Sequence, residues 1–307
     1  MPPPTTNQAQ HDLISSVEAF ATLVQTQLPS LNAALQRQYE LTKDKDNASN
    51  DPAALVTKSS SQRHRTATAD VASDEVKTVE HMADLLNEYL LQMPSLQEIR
   101  LAESTMNPNS FFALCMRMVV LLGPCGSSIE RHEQEQQLRT SGKENVKAGR
   151  GLARLHVSTA HTPFLEYFTR VAEYVGHIGR DTYQSIVSFN GPAYEVKHPF
   201  NPHQTLYTSA SNIDGKWVTL TNNRQEIEFY DLLKRCEVLQ VAANHLLAWV
   251  QDPAHDLDSM ASVENVKVAA VLLNETGKLM SHFLRKSNFT GEFFVDEFRQ
   301  VGGFGSQ

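Results

Sequence analysis

Few residues of this chain stand at the spacings that chemistry requires. A zinc-protease helix needs two histidines four apart with a glutamate between them, so that both imidazoles share a face. His132 is followed by Glu133, but position 136 is Gln136. A di-iron bundle needs Glu-x-x-His on two helices, and two such tetrapeptides do not occur. Glu130 and Glu133, three apart in a polar stretch, read as a solvated face. His156, His161, His177, His198 and His203 crowd together, as they would to hold a haem or a metal. No pair among them has ligand spacing, so they read as surface and loop histidines. His198-Pro199-Phe200-Asn201-Pro202-His203 looks like an irregular loop, and His245, beside Leu246 and Leu247, like a hydrogen-bonded core histidine.

Phosphate and thiol chemistry fare no better. Gly123-Pro124-Cys125-Gly126-Ser127-Ser128 lacks the lysine of a P-loop and follows a helical pattern where a strand is required. Gly149 and Gly151 form no dinucleotide fingerprint. Cys115 lies in an apolar helix and should be inert. Cys125 belongs to a turn open to solvent, with no His or Asp beside it in sequence. There is thus no enzyme signature, no catalytic or metal residue to name, and no cofactor to expect. The one candidate for partner docking is the aromatic tail Phe289, Phe293, Phe294 and Phe298. It is either a strap over the bundle's own core or, if exposed, a patch of the kind monomers avoid.

Composition narrows the class. At 307 residues with 41% hydrophobic and 20% charged residues, the chain is of ordinary globular make-up and can bury a core. A net charge of −8 argues against a nucleic-acid or anionic-membrane surface. The start, Met1-Pro2-Pro3-Pro4-Thr5, has no secretory pattern, and no unbroken apolar run reaches membrane length. Cys115, Cys125 and Cys236 make an odd number, which fits a reducing cytoplasm. The glycosylation tripeptides at Asn47, Asn274 and Asn288 are then chance matches.

The elements that would position any site are helices. After a disordered stretch 1–10, Leu13, Ile14, Val17, Phe20, Val24, Leu28, Leu31 and Leu35 form one helical stripe over 11–41, kinked or broken at Pro29. A polar, mobile linker follows at 43–70. Ser73 opens a helix carrying Val76, Val79, Met82, Leu85, Leu86, Tyr89 and Leu90, which breaks at Met93-Pro94 and continues briefly through Leu96, Ile99 and Leu101. Asn107 to Ser110 caps an apolar helix Phe111–Leu122, which Gly123-Pro124-Cys125-Gly126 ends. Residues 127–158 form a polar, solvent-exposed insertion. Phe164, Phe168, Val171, Val175 and Ile178 predict an inward helix face after Pro163.

Over 189–222 the period changes. Leu206, Thr208 and Ala210, then Trp217 and Thr219, alternate around Ile213-Asp214-Gly215 and predict a hairpin with an Asp-Gly turn. Helical spacing returns from Ile227 to Val250, stopped by Pro253, and again from Asp256 or Asp258 to Phe283. The tail 299–307 is Gly-rich. The expected fold is mainly α, an antiparallel bundle of about six to eight helices spanning 11–298 with a small β-hairpin insertion.

Several segments resemble a known family. Val17-Glu18-Ala19-Phe20-Ala21-Thr22-Leu23-Val24 and Leu28-Pro29-Ser30-Leu31 resemble the first helix of the helical N-terminal domain of adenylyl cyclase-associated proteins. Ala53 to Lys58, Leu85 to Arg100, Pro163 to Tyr174, and Val263 to Lys267 with Thr290-Gly291 resemble later parts of that domain. The chain departs from it in the Gly123-Pro124 turn, where the family tends to have a tryptophan, and in the segments 127–158 and 189–255. The resemblance implies binding to actin or cofilin-decorated actin by a helical face, and carries over no functional residue.

Three functions compete on this reading. The first is a cytoplasmic helical interaction or scaffold protein. The second is a helical enzyme with a haem or metal on a histidine in 156–203, which a Soret band would reveal. The third is a helical capsid or nucleocapsid protein, which would carry nucleic acid through purification. The inward face also generates a test: Leu86→Asp should unfold the bundle, since an unpartnered buried charge costs several kcal/mol. An unchanged melting temperature would place Leu86 on the wrong face.

Overall fold

The stripe over the first helix is real, and the chain keeps its helical path through Pro29. In the computed structural model, which describes residues 6–37, 79–141, 161–179, 182–212, 215–287 and 289–294, α1 spans Thr6–Thr22 and α2 spans 28–37. Between them Leu23–Gln27 forms a π-turn, closed by the Leu28 amide on the Leu23 carbonyl. Pro29 has no N–H to donate backwards and its ring crowds the preceding turn. A widened turn just before it absorbs that mismatch, so the helix is neither broken nor unwound. Val17, Phe20, Val24, Leu28 and Leu35 are buried, while Ile14 faces solvent.

α3 (Val79–Leu90) and α4 (Leu96–Thr105) follow, separated at Met93-Pro94. Ser95 caps α4 through a reciprocal box with Glu98: the Glu98 amide donates to Ser95 Oγ, and the Ser95 amide donates to the Glu98 carboxylate at 2.7 Å. Leu86 is fully buried. Leu101 is exposed; Ile99 and Ala102 of α4 are buried in the core, and Leu96 packs against it.

α5 corrects the sequence reading. It runs from Pro108 to Ser141 and passes through Gly123-Pro124-Cys125-Gly126, which does not end it. A proline inside a helix costs about 3 kcal/mol. Every residue from Leu114 to Ile129 is buried, among them Val119, Leu121, Leu122, Cys125 and Ile129. Each fully buried aliphatic side chain contributes about 1.5–3 kcal/mol, so packing outweighs the proline. Ser127, Ser128, Ile129 and His132 therefore enter the core, where a solvated insertion is expected from their polarity. By length and composition Pro108–His132 would pass for a membrane span, but 89% of its apolar window is buried inside the protein.

α6 (Thr162–Glu173) buries Phe164, Phe168 and Val171, but ends before Ile178, which is exposed. α1 to α6 share one apolar core. A second π-turn, Gln184–Ser188, bridges α5 and α7. The linker 43–70 and most of the insertion 127–158 lie outside the described residues.

The hairpin exists, but not where the alternation places it. β1 (Glu195–His198) pairs antiparallel with β2 (Asn201–Thr208), turning at Pro199-Phe200. The expected irregular loop from His198 to His203 is thus the hairpin tip. Asn212 and Gly215 do form a turn, with the Gly215 amide on the Asn212 carbonyl at 3.1 Å. The described residues around it are not strands because side chains have taken their hydrogen bonds. Asn190 Nδ2 donates to the Val218 carbonyl at 2.7 Å and Asn190 Oδ1 accepts from the Val218 amide at 2.9 Å. Glu226 accepts from the Leu220 and Thr221 amides at 2.8 and 2.9 Å.

α7 (Arg224–Gln251) and α8 (Met260–Lys286) form a long helical hairpin. Asn223 caps α7 and Ser259 caps α8, the latter in place of the expected Asp256 or Asp258. The fold is mainly α with one small antiparallel β-hairpin.

Gly191 marks the tightest point of the irregular segment. Its φ is +70°, and a Cβ there would sit 2.5 Å from the Trp217 indole. Gly191→Ala should destabilise the protein by at least about 2 kcal/mol, combining left-handed strain with a ring that must move. Urea denaturation checks this, and a cost below about 0.5 kcal/mol would place the indole elsewhere.

Candidate docking surface

The tail that the sequence marks for docking is largely occupied. Phe289 stacks on Phe229 at 5.1 Å between centroids, and Phe293 meets Phe289 edge-on at 5.7 Å. Phe293 is buried in a small cluster with Val187 and Tyr230, and Phe294 packs against the same cluster. The Thr290 amide donates to Gln225 Oε1 at 2.7 Å, tying the strap to the start of α7. Phe289, Phe293 and Phe294 thus serve the protein's own core in this conformation. Phe298 lies outside the described residues.

The histidines do not converge. His161 is buried at the start of α6, His177 follows that helix, and His198 and His203 stand exposed or nearly so on the hairpin. His156 lies outside the described residues. Among the described residues no group of three or more His, Cys, Asp or Glu could hold a metal ion. A cavity of about 270 Å³ beside Phe112, Met116, Arg117 and Phe189 is lined by no histidine. It is smaller than the roughly 300–1,000 Å³ of ordinary small-molecule sites. His245 is exposed, edge-on to Tyr207 at 5.6 Å, and is not a core residue.

Sequence reasoning missed the buried polar groups. Arg117 on α5 is buried and reaches Glu18 on α1 with two contacts of 3.3 Å. Lys234 donates to the Asn190 carbonyl at 2.6 Å and lies 5.7 Å from the Trp217 ring. Burial pulls its ammonium down to about 8 despite Glu237 and Asp231 nearby. Burial raises the Glu226 carboxyl, opposed by hydrogen bonds from Leu220, Thr221 and Tyr230. Cys125 is buried, its thiol 3.6 Å from the Leu121 carbonyl, so it is no surface nucleophile. Cys115 is equally inert, its thiol pushed up to about 12 by burial. These groups are buried and held by hydrogen bonds from neighbouring elements.

What stands open is one side of α8. Ser262, Ala269, Leu272, Leu279 and Phe283 turn toward α7 and the hairpin, alternating three and four apart with Asn265 and Thr276. One residue further on, Val263, Val266, Ala270, Leu273, Gly277, Met280 and Leu284 repeat the same three-four alternation, and all are exposed. Val263, Val266, Leu273 and Met280 show 40–46% of their surface, and Leu284 shows 79%. Leu257 and Met260 extend the strip toward the N-terminus of the helix. A strict alternation of three and four is the 3.5-residue period of a coiled-coil seam. Helical spacing does not announce it, since spacing alone does not say which apolar positions of α8 face inward. No family model, curated protein or solved structure matches the chain.

His132 yields a pH prediction. Its Nε2 lies 3.0 Å from Asn32 Oδ1, while Asn32 Nδ2 donates to Ser128 Oγ at 2.9 Å. Burial, then Arg131 and His161, pull its pKa from 6.5 to about 3. The unfolded chain therefore takes up a proton that the folded chain refuses. Stability is intact above about pH 6.5 and falls at up to about 1.4 kcal/mol per unit as pH drops toward 3. Urea midpoints near pH 7 and near pH 5 should differ by about 2 kcal/mol more in the wild type than in His132→Gln. Equal differences in the two proteins would assign the acid loss to other groups.

Proposed function

We propose that this chain is a helical protein-interaction or scaffold protein of the cytoplasm, docking a helix along the exposed seam of α8. The seam carries this reading. Its apolar side chains keep one register over most of a helix about 40 Å long, and monomers rarely leave such a strip uncovered. One further feature supports it: the three cysteines are free and buried, as a reducing compartment allows. The resemblance to adenylyl cyclase-associated proteins directs the choice of partner to actin, bare or cofilin-decorated.

Co-sedimentation tests the reading. The full chain should pellet with cofilin-decorated filaments in a salt-sensitive manner, and Leu273→Glu should weaken pelleting by about tenfold, or about 1.4 kcal/mol. Leu273 is half-exposed, so its melting temperature should stay within about 2 °C of the wild type. Absence of pelleting removes the cytoskeletal partner. Pelleting that Leu273→Glu leaves unchanged removes α8 as the docking face.

A further inference from the structure

The cavity of about 270 Å³ beside α5 has apolar walls and two buried polar groups. Phe112 and Phe189 stand edge to face at 5.9 Å between centroids, and Met116, only 2% exposed, lines the cavity from α5. Ala113 and Ser211 line it too and are exposed, so it opens to solvent. Phe112 shows 41% of its own surface there, more than a ring serving only the core would show.

The buried polar groups are Arg117 and Asn212. The guanidinium of Arg117 faces the Glu18 carboxylate at 3.3 Å, so its charge is already balanced and calls for none on a ligand. Asn212 is different. Its Nδ2 donates to Asn190 Oδ1 at 3.0 Å and to the Lys216 carbonyl at 2.7 Å. Both partners are acceptors, and Asn190 Oδ1 is itself fixed by the Gly191 and Val218 amides, so the Asn212 amide cannot be turned over. Asn212 Oδ1 is therefore a buried acceptor, and it has no partner among the described residues. An unmet buried oxygen is costly, so its donor has to come from whatever fills the cavity. A water would meet Asn212 Oδ1 but little else along Phe112, Phe189 and Met116, whereas a buried water needs about two to four polar partners.

From the apolar walls and the one unmet acceptor we infer that this cavity binds a small, neutral ring compound with a single O–H donor, of the phenol class. The ring lies against Phe112, Phe189 and Met116, and the hydroxyl donates to Asn212 Oδ1. An apolar cavity of roughly 150 Å³ is enough for benzene, so the space here takes one or two rings and no more. The site is separate from the α8 seam and stands whatever docks there.

Phenol and fluorobenzene, which have nearly the same shape, are the probes. Each is titrated into the full chain carrying isotope-labelled methionine methyl groups. The Met116 signal, identified by its absence in Met116→Leu, reports occupancy through the ring current of the probe. Phenol should bind at least about tenfold more tightly than fluorobenzene, because only phenol meets the acceptor. Fluorobenzene is the more apolar of the two, so a site that selects by hydrophobicity alone gives the reverse order. Ala113→Phe, at an exposed position on the rim, should abolish the phenol shift while circular dichroism and melting temperature stay those of the wild type. A Met116 signal that phenol leaves unmoved, fluorobenzene binding as tightly as phenol or more so, or a folded Ala113→Phe protein that still binds phenol each overturns the inference.

Discussion

Between β2 and α7 the described backbone runs without a ladder, and its buried amides find isolated carbonyls, as Asn212 does on Gly191, or side chains. Glu226 takes two of those amides, and Asn190 ties the segment to the second π-turn. Its amide nitrogen donates to the Ile186 and Val218 carbonyls, and its amide oxygen accepts from Gly191, Asn212 and Val218. Its own carbonyl holds the Lys234 ammonium. Removing one partner from such a knot strands a buried polar group at about 1–3 kcal/mol, so the members are fixed jointly. Gly191 follows Asn190 with a positive φ because the indole of Trp217 lies against it. The second π-turn, the irregular segment and the first half of α7 are thereby held at one point.

That anchorage explains the helices beyond it. α7 buries Glu226 and Lys234 near its start and Ala242 and Ala243 farther on, touching the π-turn, both strands and α8. It has no single apolar face because it is packed on several sides. α8 packs along α7 and shares with the hairpin the cluster of Val196, Val238, Val268 and Leu272. The aromatic strap closes the anchored end, Phe283 meeting Phe289 at 5.5 Å. Every described element packed on the hairpin of helices lies on the α7 side or at that end, which leaves the far side of α8 open.

Legibility followed the periodicity and failed where polar groups replaced it. The stripe Val17–Leu35, the break at Met93-Pro94 and the inward Phe164, Phe168 and Val171 of α6 were readable because apolar spacing and a proline position them. Pro124 was misread because local propensity signals a stop, whereas the buried run on both sides of it decides the outcome. The hairpin was displaced toward Asp214-Gly215 because alternation of Leu206, Thr208, Trp217 and Thr219 mimics strand pairing. Nothing in a linear pattern reveals that Glu226, just beyond Leu220 and Thr221, and Asn190, far in sequence from Val218, will take those hydrogen bonds. Arg117, Lys234 and His132 were invisible as core residues for the same reason. Each is tolerated inside only because of a partner from another element: Glu18, the Asn190 carbonyl and Asn32.

The exposed seam of α8 is best understood from the buried one. A helix that needed only to cover α7 would carry apolar residues at one set of three-four positions and polar residues at the next. α8 carries Ala269, Leu272, Leu279 and Phe283 at the inner set and Val263, Val266, Ala270, Leu273, Met280 and Leu284 at the outer one, so its apolar surface is wider than α7 requires. A polar helix surface would keep the chain soluble at no cost to packing, so the second seam has no role in holding this fold. It is also placed where a partner can use it: α8 is backed along its length by α7, and α7 is pinned at its start by Glu226 and Lys234. Side chains on a backed helix meet a partner in fixed positions, which lowers the ordering cost of association. The knot at Asn190 and the seam on α8 are in that sense one construction, since the rigidity of the first gives the second a defined shape.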